Sequence, residues 1–178
     1  FLLYVKTRTM LSNYVLAKGL VNAMVTFVVA FLMIFIPFMF VQYIDPALNI
    51  IKYTTEFYQP TSVGTFEVLA EKSILFYGIG YSLWVAINGA LYATIAYLLS
   101  ICLKNKFVAL SIPFLWWVVM NFVTAILGIP RFSPVFTVFP FAITAQPIWT
   151  IFIPFTILVL VIIGLIAFIK TKNKVWDE

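Results

Sequence analysis

Four runs of this chain, residues 19–44, 73–103, 107–130 and 132–169, contain no Asp, Glu, Lys, Arg or His. Each is long enough for a helix to cross about 30 Å of hydrocarbon, which takes roughly 20 residues. A helix that is apolar all round needs lipid or a very large core around it. A chain of 178 residues does not build such a core. Only 10% of the residues are charged, against about one quarter in a soluble domain. The sequence therefore predicts an all-α, polytopic membrane bundle, a single domain over 1–178. Its transmembrane helices are placed at 20–44, 74–103, 107–127 and 148–169, here spans A to D.

The charges between the spans orient them. Lys6, Arg8 and Lys18 precede span A, Lys104 and Lys106 fill the tight turn between B and C, and Lys170, Lys172 and Lys174 follow D. The opposite side carries only Lys52, Lys72 and Arg131, together with Asp45, Glu56, Glu67 and Glu71. Basic residues accumulate on the cytoplasmic side of membrane proteins. This asymmetry puts both ends of the chain in the cytoplasm, with a plasma membrane, bacterial by expectation, as the location. The net charge of +5 does not indicate nucleic acid, because the cations flank spans instead of forming one basic face. The first residue is Phe, and the opening residues lack a signal-peptide pattern, so the chain is expected to begin inside a longer protein.

Two connections stand out. In the outer A–B loop, Thr65 is a candidate helix cap with Glu67 beside it, and a helix from Phe66 is expected to run straight into span B. Between C and D, residues 128–147 are apolar and aromatic, yet Pro130, Pro134, Pro140 and Pro147 forbid one continuous helix. Irregular backbone at membrane depth must be covered by protein or line a wet cavity. Residues 128–147 are therefore read as a re-entrant or interfacial segment. Phe132 to Pro147 is expected to form two short helical pieces broken near Pro140.

Catalytic and metal-binding readings find little support. There is no histidine, and Cys102 is the only cysteine, which removes the common metal sites and His-based catalysis. No carboxylate lies within a span and no phosphate-binding glycine loop is present. No catalytic residue, metal site or cofactor is expected in the chain itself. Ion-driven transporters use buried carboxylates or histidines, so any transport would draw its energy from a partner. Span B bears small residues four apart, Gly78, Ser82, Ala86 and Ala90, which are candidates for close helix packing. Asn88 and Asn121, deepest in their spans, and Phe139 and Pro140 in the broken segment are candidates for lining a pathway. For the two asparagines, the competing role is to bond helices together.

The N-terminal stretch runs from apolar residues through Lys6 and Arg8 into Ser12-Asn13-Tyr14-Val15-Leu16-Ala17-Lys18 and then span A. Ser12 is placed to cap the entering helix, and Lys18 to anchor it at the surface. Such an element, rigidly continuous with a span, is a lever for a soluble partner. A proline at Leu11 is expected to break it. The run Leu2 to Leu20 resembles the cytoplasmic segment of type-2 ABC exporter permeases, the ABC-2 family. There a leucine-rich stretch leads to a Tyr-apolar-apolar-small-Lys ending, matched by Tyr14 to Lys18. The Ser-Arg pair often found before it is Ser12-Asn13 in this chain. The proline-broken stretch before span D is similar to that family's re-entrant helices.

The resemblance implies that A to D correspond to spans three to six of a six-span permease. It implies that cytoplasmic ATPase subunits, carrying ATP and Mg, dock near Tyr4, Lys6, Arg8, Leu11, Ser12 and Tyr14. A second permease copy or homologue completes the transporter within membrane lipid. The cargo expected of so aromatic a chain is hydrophobic or amphipathic: a peptide, a drug or a lipid-like molecule moved outward. The alternative class is a non-transporting membrane protein, such as an immunity or assembly subunit, and an ATPase encoded in the neighbouring gene would discriminate the two. The charge asymmetry generates a direct prediction: cysteines placed at Gln59 and at Asn105 label from opposite faces of intact cells. Labelling of both from one face overturns the topology.

Overall fold

The computed structural model describes residues 11–44, 73–140 and 147–174, and every regular element among them is helical. Four helices carry the apolar runs: α1 (Leu11–Met39), α2 (Ile74–Cys102), α3 (Lys106–Ile126) and α5 (Trp149–Lys174). Between α3 and α5 lie a 3-10 turn at Pro130–Phe132 and a five-residue helix, α4 (Pro134–Val138). All four long helices have the length and hydropathy to cross a membrane. The fold is an all-α polytopic bundle. At 29 residues, α2 measures ~43 Å, more than the hydrocarbon thickness, so it tilts or projects.

Helices α1 and α2 pack antiparallel. Phe38 sits on Gly78 at one end, Ala30 lies against Gly89 midway, and Tyr97 donates to the Val15 carbonyl (3.1 Å) at the other end. The rings of Phe27, Phe31, Phe35 and Phe38 stack in series down α1, with centroids 6.5, 5.1 and 6.3 Å apart. Lipid gives no hydrophobic incentive for helices to associate, so contact area and close approach must hold the pair. Gly78 supplies that approach, since a Cβ there would collide with the Phe38 ring. Steps of four drift about 40° per step around a 3.6-residue helix. Gly78, Ser82 and Ala86 are accordingly buried while Ala90 is only half-buried, and the α1 contacts pass through Gly89 and Ala93.

Helix boundaries correct two expectations. Ser12 is not the cap of the entering helix, because α1 already includes Leu11. Ser73 is extended (φ −170°, ψ 134°) immediately before α2, so no helix from Phe66 runs unbroken into it. Thr65, Phe66 and Glu67 themselves lie outside the described residues. Helix α1 contains Pro37, which deprives it of one backbone bond, and its end widens into a π-helical turn at Phe40–Ile44.

The α2–α3 turn is closed by Asn105, whose Oδ1 accepts from Phe107 N (3.0 Å) and Val108 N (3.4 Å). Asn105 thus has a capping duty, and Lys104 beside it is the freer position for a topology probe. At the far end of α3, Ile129 N donates to Thr124 O (3.0 Å) and Gly128 N to Ala125 O (3.1 Å). This is a Schellman ending, with Gly128 left-handed at φ 70°. It stops α3 and turns the chain back toward the bundle.

The Gly78–Phe38 contact can be tested by a double-mutant cycle. Gly78→Ala is expected to lower stability in detergent by about 1–3 kcal/mol through overpacking. Combining it with Phe38→Leu should recover at least ~0.5 kcal/mol relative to additivity. Strict additivity of the two changes would show that the contact does not hold the seam.

Candidate functional site: a short helix clamped between three long ones

Five residues cannot stabilise a helix on their own, and in hydrocarbon every unpaired peptide group costs several kcal/mol. The surroundings of α4 meet both problems. Its cap, Ser133, accepts from Phe136 N through Oγ (3.3 Å) and from Thr137 N through its carbonyl (3.0 Å). Pro134 opens the helix and has no N–H to satisfy. The remaining first-turn donor, Val135 N, reaches Asn121 Oδ1 on α3 at 2.9 Å. At the other end, Trp84 Nε1 on α2 donates to Thr137 O at 2.6 Å. Ser133, Pro134, Thr137, Val138 and Pro140 are all buried.

Helix α5 completes the clamp. The Trp84 indole sits edge-on to Phe152, 5.4 Å between centroids, and tilted against Phe155 at 5.2 Å. Such offset arrangements use the ring quadrupole and add about 0.5–1.5 kcal/mol beyond area burial. Thr150 and Ile151, at the start of α5, are fully buried. Trp84 thereby joins α2, α4 and α5, while Asn121 joins α3 to α4.

The candidates read from sequence distribute unevenly around this centre. Asn121 holds the start of α4. Phe139 ends it, its N–H bonded to Val135 O at 2.8 Å, and Pro140 is buried just beyond. Asn88 is fully buried one turn from Trp84 and donates only to the Trp84 carbonyl (2.9 Å). Of the expected two helical pieces, the first is α4 and stops before Pro140; residues 141–146 lie outside the described residues. Tyr4, Lys6 and Arg8 also lie outside them. Leu11 and Ser12 belong to α1, and Tyr14 is half-buried with the Lys18 ammonium 6.0 Å from its ring centre.

Five threonine hydroxyls are bonded locally. Thr26, Thr94, Thr124, Thr137 and Thr156 each donate to the carbonyl four residues back on their own helix or, for Thr137, to the cap residue Ser133. Three buried side-chain atoms among the described residues lack a protein partner: Ser82 Oγ, Asn88 Oδ1 and Asn121 Nδ2. A crevice of about 200 Å³ opens between α3 and α5, and Asn88, Asn121, Phe139 and Pro140 are not among its lining. No His, Cys, Asp or Glu grouping able to hold a metal occurs among the described residues. Sequence reasoning missed Trp84 and Thr137. The available signal was an indole N–H in mid-span, which needs an acceptor wherever water is excluded.

Compared with known proteins, the chain matches no family profile, no curated sequence and no solved structure. The two deep asparagines are predicted to behave differently. Asn121→Leu strands Val135 N and should cost about 1–3 kcal/mol in detergent unfolding. Asn88→Leu removes an unpaired carbonyl at similar volume and should be close to neutral or stabilising. Equal losses for both variants would mean that α4 is not held by Asn121.

Proposed function

We propose that this chain is the permease subunit of an ATP-driven exporter of the ABC-2 type, moving a hydrophobic or amphipathic cargo outward. The observation that carries this reading is α1. It runs as one helix from Leu11, within the segment that resembles the family's cytoplasmic element, into the lipid-length apolar run. Its first turns are not a loose tail, because Tyr97 of α2 bonds to the Val15 carbonyl and lies against Gly19. A force applied at Tyr14 would therefore reach two membrane helices together. ATP hydrolysis belongs to a partner subunit docked on that side. The cytoplasmic placement of both ends rests on the cations at Lys18, Lys104, Lys106 and Lys170, which share one end of the bundle, against Arg131 at the other.

The same reading gives α4 a role at the outer end. A short buried helix held by two side-chain bonds from different long helices is suited to gating a path between two permease copies.

The lever is tested by a proline, and its position matters. Leu11 is the first described residue of α1. Leu16, exposed and one turn deeper, is the better site, because a proline there removes a helical bond and clashes with the preceding turn. Leu16→Pro, against Leu16→Ala as control, is expected to leave insertion intact and to abolish ATP-dependent export. Charge reversal at Lys6 and Arg8 should weaken ATPase association only modestly, since exposed pairs contribute about 0–1 kcal/mol each. Unchanged export in Leu16→Pro would remove the lever. Failure to cross-link any ATPase to residues 4–14 in native membranes would remove the exporter reading.

A further inference from the structure

The crevice between α3 and α5 has a definite chemistry. Both helices pack on α2 and make little contact with each other. The gap is floored by Tyr92 of α2, walled by Met120 and Val123 of α3 and by Ile153 and Ile157 of α5, and closed at one end by Phe132 and Pro134. Its volume, about 200 Å³, exceeds the ~150 Å³ of an apolar cavity known to take up benzene. The lining is almost wholly apolar. Its threonine, Thr124, donates within α3 to Met120 O (2.8 Å) and Asn121 O (3.1 Å). Val123, Leu127, Ile153 and Ile157 are exposed along its rim, so it opens sideways, toward what would be hydrocarbon.

A charge stands at the closed end. Arg131 lies in the 3-10 turn between two lining neighbours, Ile129 and Phe132, and is exposed. The described residues contain no Asp or Glu, so this guanidinium faces no acidic side chain among them. Trp149 stacks obliquely on Phe132, with centroids 6.0 Å apart, and is itself exposed. An aromatic ring and an arginine at one level mark the headgroup zone of a bilayer. An apolar slot descending from a guanidinium that has no acidic partner among the described residues suits a hydrocarbon chain carrying an anionic head. A guanidinium binds phosphate oxygens in a bidentate fashion.

We propose that the α3–α5 crevice holds a single anionic phospholipid, one acyl chain lying in the crevice and its phosphate on Arg131. The site requires only that the bundle be in a membrane and stands independently of the exporter reading. The lipid fills the space that α3 and α5 leave between them, beside the clamp on α4.

The test uses the full chain, purified in detergent and supplied with phosphatidylglycerol or phosphatidylcholine of identical acyl chains, with retained lipid read by native mass spectrometry. One phosphatidylglycerol per chain is expected to persist under conditions that strip phosphatidylcholine. Arg131→Gln, at an exposed position, should reduce that retention about fivefold, the order of one cation's contribution at a lipid surface. Val123→Trp and Ile157→Trp, which fill the crevice from opposite walls, should each abolish it, and excess inorganic phosphate should not displace the lipid. Equal retention of both lipids, or retention indifferent to Arg131→Gln, overturns the proposal. So does retention undiminished in a folded tryptophan variant, or displacement by phosphate alone. Should both tryptophan variants misfold, Arg131→Gln and the phosphate competition decide the matter.

Discussion

The hydrogen bonds that close α4 govern the arrangement of this half of the bundle. A peptide group at membrane depth has no water to fall back on, so a break in the regular helices is tolerated only where side chains replace the missing solvent. Asn121 and Ser133 take the first-turn donors, and Trp84 supplies a donor to Thr137 O. Those bonds fix the distances of α2 and α3 from α4. The same indole then sets α5, because Phe152 and Phe155 must fit its edge and face. Gly128 prepares the geometry by ending α3 in a left-handed turn that brings the chain back inward.

The two halves of the bundle are held by different physics. Between α1 and α2 the contact is one of shape, with Phe38 laid against Gly78 and Ala30 against Gly89, and its few polar bonds end on main-chain carbonyls. Around α4 the contact is polar and aromatic together. Threonines elsewhere are bonded to their own helices, which neutralises them toward neighbours and leaves the lateral surfaces apolar. The outward face of α1 is correspondingly exposed, from Leu20 through Met24, Val28 and Leu32 to Ile36, a surface suited to lipid or to another apolar helix.

Length and charge made the long helices legible. Uninterrupted apolar runs admit little else at this size, and α2, α3 and α5 start within one residue of the span starts expected at 74, 107 and 148. The broken segment was legible as a problem, since four prolines in an apolar stretch demand cover from protein. Which residues provide the cover was not. Asn121 stood out because an amide at depth is unusual, yet nothing in sequence spacing pairs it with Val135, fourteen residues away across a turn. Trp84 was lost among other aromatic residues, and its role depends on where α4 comes to rest. The four-spaced ridge on α2 illustrates another limit. A stripe of constant step rotates off the contact line, so Ala90 leaves the seam while Gly89 and Ala93 lie on it.

Helix α2 is the element through which these regions communicate. Near its last turns Tyr97 holds the start of α1, and thirteen residues earlier, ~20 Å along the axis, Trp84 holds the end of α4. Between them the helix is unbroken and contains no proline. Helix α1 contributes no buried residue in its most apolar window, so it can shift against lipid with little resistance except at its seam with α2. A displacement at the Lys18 end of α1 would thus load α2 first, and α2 would deliver it to the two bonds that hold α4. Under the exporter reading, this makes α2 the rod, α1 the handle and α4 the movable part. The hydrogen bond from Trp84 to Thr137 is then the point where coupling and stability meet. Together with the Asn121 bond it holds the short helix in place, and a rigid-body movement of α2 would break it.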